Sequence, residues 1–271
     1  MRVVVLVKQV PDIVSERALG GDGLLVRGGA DQMLNELDEG AIETALRSAV
    51  TLGAEVIAVT MGPDGAASAA RKALQVGAAS AIHISDPALA GSDAVVTARV
   101  LAASIRLLND EDPANPVALV VAGMSALDGL GSVVPALVAA ELDWSVLSFA
   151  NSVEVVDSPA QITVTRETDH GSERLRSTLP SVVSVTDTIA QLRVPSFASM
   201  LAARKATLRV LTAADLGFEA AQVGLAGSRA TIVASAPRPP RPAPQVVQDS
   251  GQGAAALVDF LDQRGLLEAG V

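Results

Sequence analysis

Near the middle of the chain runs Gly123-Met124-Ser125-Ala126-Leu127-Asp128-Gly129-Leu130-Gly131-Ser132-Val133-Val134-Pro135, which has the residue types of an anion site. Gly129 and Gly131 permit close backbone approach, and Ser132 is placed to cap a following helix. Val133, Val134 and Pro135 bring no negative charge to the positive end of that helix, where a phosphate would bind. Asp128, just before, is placed to accept from a hydroxyl or an amine. An ordinary capped βα loop would carry the same residues, so the residues alone leave both readings open. Neither G-x-G-x-x-G nor G-x-x-x-x-G-K-[ST] occurs, so a standard dinucleotide fold or P-loop has no support.

No self-contained catalytic constellation accompanies this loop. The absence of cysteine among 271 residues excludes disulfides, thiolate metal sites and Cys nucleophiles, and fits a reducing compartment. His83 lies inside an apolar run and reads as a satisfied core histidine; His170 lies in the turn Asp169-His170-Gly171 and reads as exposed. Two isolated histidines do not make a zinc site. Arg166 and Glu167 read as members of a cross-strand charge pair. A net charge of −10 argues against a nucleic-acid binder. No basic region precedes an apolar one at the start, so no secretory leader is expected. Apolar runs are strand-length, short of the ~18 residues of a membrane span.

The elements that would position the loop follow from periodicity. Apolar residues are 49% of the chain but aromatics only 2%, so the core must be aliphatic. Residues 2–8 form a strand buried on both faces. A polar, Gly-rich stretch through Gly29 reads as a long loop or small hairpin. Asn35 then reads as the N-cap of a helix with Glu36, Asp38 and Glu39 in its first turn, an apolar stripe of Ile42, Ala45, Leu46 and Ala49, and an end near Gly53. Strands at 55–61, 80–85 and 117–122 alternate with helices at 66–76, from Ser92 or Asp93 to about 108, and at 133–142. This is a parallel sheet with helices on both faces. After Trp144, residues 151–156, 161–168 and 173–179 alternate as antiparallel strands at one edge, followed by a strand at 181–186, helical character at 195–205 and a strand at 207–211. Residues 235–253, rich in Pro, Gln, Ser and Gly, read as a flexible arm. Residues 254–267 read as an amphipathic helix, with Leu257, Phe260 and Leu261 on one face, that docks on another surface or packs back on its own domain.

In such sheets ligands bind beyond the carboxyl ends of the strands, near a switch in strand order. The candidate ends are residues 8–12, 61–65, 85–86 and 123–132. The acids at 36, 38 and 39 occupy the positive end of the helix after the first strand, which leaves the fourth end as the better phosphate site.

With these segments laid out, the chain resembles the β subunit of electron-transfer flavoproteins along essentially its whole length. The matching stretches are Leu6-Val7-Lys8-Gln9-Val10-Pro11-Asp12, Asn35-Glu36-Leu37-Asp38-Glu39 with Ile42-Glu43, and Met61-Gly62-Pro63. Arg71-Lys72-Ala73-Leu74-Gln75-Val76-Gly77-Ala78, Gly91-Ser92-Asp93 and residues 123–135 follow in family order. So do Arg166-Glu167-Thr168-Asp169-His170-Gly171, Leu179-Pro180-Ser181-Val182-Val183 and residues 193–205.

The resemblance implies an α/β domain of the adenine-nucleotide α-hydrolase-like kind over residues 1–234, with an antiparallel extension at about 145–190 and a recognition loop at about 191–205. Residues 235–271 would be arm and C-terminal helix. It implies an electron carrier subunit, not an enzyme by itself, paired with an α subunit that holds most of a shared FAD. Electrons would come from flavin dehydrogenases and leave to a downstream acceptor, a membrane quinone oxidoreductase among the candidates. Nucleic acid and membrane insertion have no part in it, and the location would be cytoplasmic. By position, AMP (or a second FAD) would be held by Leu6, Lys8, Asn35, Met61, Gly62, Gly123, Ser125, Asp128, Gly131 and Ser132. Ile13, Leu37 and Glu167 would face the shared FAD, and Arg193, Phe197, Met200 and Leu201 would dock partners. A stand-alone adenine-nucleotide-binding regulatory protein is the alternative, and an adenylating enzyme, lacking a phosphate-binding Lys motif, comes third.

Overall fold

A run such as Arg-Val-Val-Val-Leu can be buried on both faces only if its backbone is paired on both sides and its alternate side chains meet two separate layers. In β1 (Arg2–Leu6) every residue is buried, Val3 and Val5 joining one core and Val4 and Leu6 the other. The computed structural model describes residues 1–15, 18–21, 23–26, 31–234, 236, 239–241 and 243–267. Parts of the expected loop through Gly29 and of the expected arm at 235–253 lie outside them.

After β1 come β2 (Gln9–Pro11) and β3 (Gln32–Leu34), which pair antiparallel. Next are α1 (Glu39–Leu52), β4 (Glu55–Met61), α2 (Ala67–Val76), β5 (Ser80–Ile84), α3 (Ala94–Glu111), β6 (Val117–Gly123) and α4 (Val134–Leu142). Then follow β7 (Ser145–Ala150), β8 (Ser152–Asp157), β9 (Ala160–Thr168), β10 (Gly171–Thr178), β11 (Ser181–Val185), α5 (Phe197–Lys205), β12 (Leu208–Leu211), the short α6 (Gly224–Gly227) and α7 (Gly253–Gln263).

Seven strands form one sheet in the order β12-β5-β4-β1-β6-β11-β7, and every pairing in it is parallel. α1 and α2 pack on one face through Ala41, Ile42, Ala45, Ala69, Ala73 and Leu74; α3 and α4 cover the other through Val96, Leu101, Ile105 and Val138. The alanines let helices lie close to the sheet, so few aromatics are needed. The antiparallel strands are not added to an edge of the parallel sheet as expected but make a sheet of their own, β10-β9-β8, with Ile162 and Val164 of β9 buried in the same core as α1.

Three local expectations are corrected. β7 is an additional parallel edge strand where the sequence shows no clean pattern: its register shifts opposite β11, and Phe149 there takes φ 60°. A short 3-10 turn at Glu36–Asp38 precedes α1, and the Asn35 side chain caps neither. The last helix spans Gly253–Gln263 instead of 254–267. Asp93, not Ser92, caps α3 by accepting from Val96 N at 2.9 Å. Residues Met1–Ala234 and Ser235–Val271 are two separate units, the second containing α7.

Candidate functional site

The strand order reverses at β1. The chain proceeds outward from β1 to β4 and β5, then returns to place β6 on the other side of β1. The connection after β1 leads to α1 on one face, and that after β6 leads to α4 on the other. The two loops therefore part at the strand ends and open a crevice. Leu6, Lys8, Met61, Gly62, Gly123 and Ser125 all lie at or just beyond the carboxyl ends of the adjacent strands β4, β1 and β6.

A network of buried polar groups ties these ends together. Asn35 is fully buried, and its Nδ2 donates to Asp38 Oδ1 and to the Ser125 carbonyl, each at 2.9 Å. Its Oδ1 accepts from Leu127 N at 3.1 Å. Lys8 donates its backbone N–H to Asp38 Oδ2 and its Nζ to Asp128 Oδ1, both at 2.8 Å. The Asp128 carboxylate is wholly enclosed while the Lys8 side chain remains 38% exposed. Burial pushes Asp38 up to about 7, against hydrogen bonds from Asn35, Lys8 and the Gly123 backbone that favour its ionised form. Asp38 is thus a floor beneath the crevice rather than an acid turned to a helix end. Its spacing of three from Asn35 was the only signal in the sequence.

The glycines divide into two kinds. A Cβ on Gly123 would overlap the Leu37 carbonyl and the Asp38 carboxylate, so only glycine lets β6 come this near the turn before α1. A Cβ on Gly129 would meet nothing within 4 Å, and one on Gly131 only Val133 Cγ2 at 3.9 Å. The left-handed backbone falls on Leu130 (φ 49°) and Ser132 (φ 53°) instead. Non-glycine residues there hold about 1–2 kcal/mol of strain each, which is tolerated where a loop is shaped for a ligand. Ser132 does not cap α4; Val133 occupies that position and makes no side-chain cap. Among the described residues the buried Ser125 hydroxyl has no hydrogen-bond partner. An open loop with turned backbone and an orphaned hydroxyl fits a small phosphate-bearing ligand that supplies acceptors.

The remaining expected residues lie elsewhere. Ile13 and Glu167 are exposed, whereas Leu37 is buried at 8% exposure. Phe197, 76% exposed, opens α5 after the cap Ser196, with Met200 and Leu201 partly exposed and Ala203 buried against the core. Arg193 is turned inward: its guanidinium forks onto Glu43 of α1 at 2.8 and 3.0 Å. Arg166 pairs with Glu173 across β9 and β10 at 2.7 Å. His83 is buried, its Nε2 within 3.1 Å of the Gly62 carbonyl. Cavities of about 220 Å³ beside Thr44 and Asn151 and about 530 Å³ beside Arg2 and Glu55 contain none of the expected residues. Among the described residues no cluster of His, Cys, Asp or Glu is placed for a metal ion, and no helix is long and apolar enough to cross a membrane.

Comparison with known proteins gives a consistent set of likenesses. The family model described as "Electron transfer flavoprotein domain" matches residues 22–216. "Electron transfer flavoprotein subunit beta" of Mycobacterium tuberculosis is 40% identical over 265 residues, 96% of this chain and 97% of the relative. "Protein FixA" of Azotobacter vinelandii is 32% identical over 243 residues, covering 88% and 85%. The protein named as the same subunit in Thermoanaerobacterium thermosaccharolyticum is 30% identical over 272 residues, covering 98% and 100%.

Proposed function

The chain belongs to the electron transfer flavoprotein β-subunit family, and from that premise we propose that it completes, with an α subunit, a heterodimer that shares one FAD. That FAD supplies the one- and two-electron chemistry; this chain closes its site, holds AMP in its own crevice and presents a docking surface. It is a carrier and not an enzyme, working in the cytoplasm between flavin dehydrogenases and a downstream acceptor such as a membrane quinone oxidoreductase.

The near-full-length match to subunits of this name carries the assignment of role. The AMP reading is supported by the orphaned Ser125 hydroxyl beside the open turn at residues 129–132. Leu6, Met61, Gly62 and Gly123 would frame the nucleotide, and Lys8, held by Asp128, would steady the loops. With Lys8 already paired, a single phosphate met by backbone N–H groups suits the site better than a triphosphate. Ile13 and Glu167 would stand toward the shared FAD, whereas Leu37 is buried. Phe197, Met200 and Leu201 form the docking surface, an exposed apolar group of the kind that anchors a partner.

Co-expression of the full chain with an α subunit of the family is expected to yield a yellow heterodimer that releases one AMP on heating. Two flavins per dimer would replace AMP by a second FAD. A colourless monomer that ignores the α subunit would overturn the proposal, and nucleotide bound by that monomer would favour a regulatory protein.

A further inference from the structure

Glu43 belongs to no part of the crevice, yet it is among the best-satisfied carboxylates of the chain. The segment leading from β11 to α5 lies along the start of α1. Gly40 there leaves only 2.9 Å between Ile189 Cγ2 and the place a Cβ would occupy, with the Thr186 and Ala190 carbonyls at 3.4 and 3.5 Å. One helical turn on, Glu43 Oε2 accepts from Arg193 Nε at 2.8 Å and from the Arg193 backbone N at 3.4 Å, while Oε1 accepts from Arg193 Nη2 at 3.0 Å. Arg47 Nε donates to the same Oε1 at 2.8 Å. The Glu43 side chain is 6% exposed, against 43% for Arg193. A two-point fork of this kind fixes the plane of the guanidinium as well as its position.

Three residues, Val194, Pro195 and Ser196, separate this anchor from Phe197. At about 3.3 Å per residue, the anchor sets where α5 begins. At its other end α5 is held by Ala203 in the core. Its apolar residues Phe197, Met200 and Leu201 stay exposed between the two holds.

We propose that Glu43 is the positioning residue of the docking face: acting through Arg193, it fixes where Phe197, Met200 and Leu201 stand for a partner. This rests on the docking role given above to α5. Arg193 is then a strut within the chain, not a contact offered to the partner. The Arg193 hydrogen bond holds Glu43 down to about 2, so the strut stays charged throughout the neutral range. An exposed pair on a helix contributes little to global stability; this one is enclosed on its acidic side and bears on local geometry.

Glu43→Gln keeps the shape but sets an amide N–H₂ or a neutral oxygen against the guanidinium. In the full chain, co-purified with its α subunit, amide hydrogen exchange over residues 189–201 is expected to quicken several-fold, while α2, α3 and α4 keep their protection. With a flavin dehydrogenase reduced by its own substrate as donor, the KM for the carrier should rise about tenfold, with kcat, flavin content and subunit ratio unchanged. Glu43→Asp, which keeps the charge, should recover part of the loss. The double variant Glu43→Gln/Phe197→Ala should have the KM of Phe197→Ala alone, because both changes remove one contact. Unchanged exchange over 189–201, or fully additive effects in the double variant, would overturn the proposal. Quickened exchange with a Phe197→Ala variant of ordinary KM would uphold the strut and sink the docking role of α5 instead.

Discussion

Asp38 has three N–H groups aimed at its carboxylate, from Asn35, Lys8 and Gly123, in a place closed to water. The donors favour the anion and the burial opposes it; burial dominates, and the group stands at about 7 instead of 3.8. A raised carboxylate binds its proton more tightly when folded. Its contribution to stability is therefore complete below 3.8 and is lost as pH rises through about 7. Asp38→Asn removes this dependence, though it also puts an amide where an acceptor is needed. Urea midpoints of the two proteins should draw together as pH rises across that interval; a constant gap would show that the three donors keep Asp38 ionised throughout. Glu43 has the opposite sign, with stability present above 4.5 and lost as pH falls through about 2. Neither residue was legible as more than a first-turn or helical acid, because what distinguishes them comes from other elements: Lys8 and Gly123 for Asp38, and Arg193, 150 residues on, for Glu43. Asn35 and Ser132 were read as caps for the same reason: local spacing shows that a polar side chain could cap, but not that a nearer or better partner exists in the fold.

Elements were easier to read than residues wherever burial was complete. β1 and β6 carry continuous aliphatic runs, β4 and β5 are largely apolar with Thr60 and His83 inside them, and α1, α2 and α3 carry three-four stripes, so the alternating order and the crevice at its switch point followed from pattern. β7 failed because an edge strand with a shifted register exposes Val146 and Phe149 and breaks the alternation. The turn after β6 was found, but its glycines do different work from the one expected. Gly123 lets two elements touch, and Gly129 leaves space empty. Gly123→Ala should lower unfolding stability by about 1–3 kcal/mol through overpacking, seen in the denaturant midpoint. Gly129→Ala should stay within about 0.5 kcal/mol of the parent and still cut the AMP recovered from the heterodimer. Full AMP content in Gly129→Ala would remove the phosphate from that turn.

At the scale of the whole molecule, the unit Met1–Ala234 has two aliphatic cores of its own, and every core residue named above lies within it. Among the described residues of Ser235–Val271, α7 buries none, and Leu257 and Val258 are more than half exposed. An amphipathic helix with exposed apolar residues gains stability when a surface covers them. In the proposed heterodimer the α subunit is expected to supply that surface, so that the arm strengthens association without bearing on the fold. Deleting residues 235–271 should then leave the thermal midpoint of the isolated chain within a few degrees of the parent, since both aliphatic cores lie within Met1–Ala234. The same deletion should reduce the α subunit recovered with it, and dilution should separate the shortened dimer sooner than the full one. A deletion that unfolds the chain would place the helix on its own domain, whereas a deletion that changes neither midpoint nor recovery would leave it outside the assembly altogether.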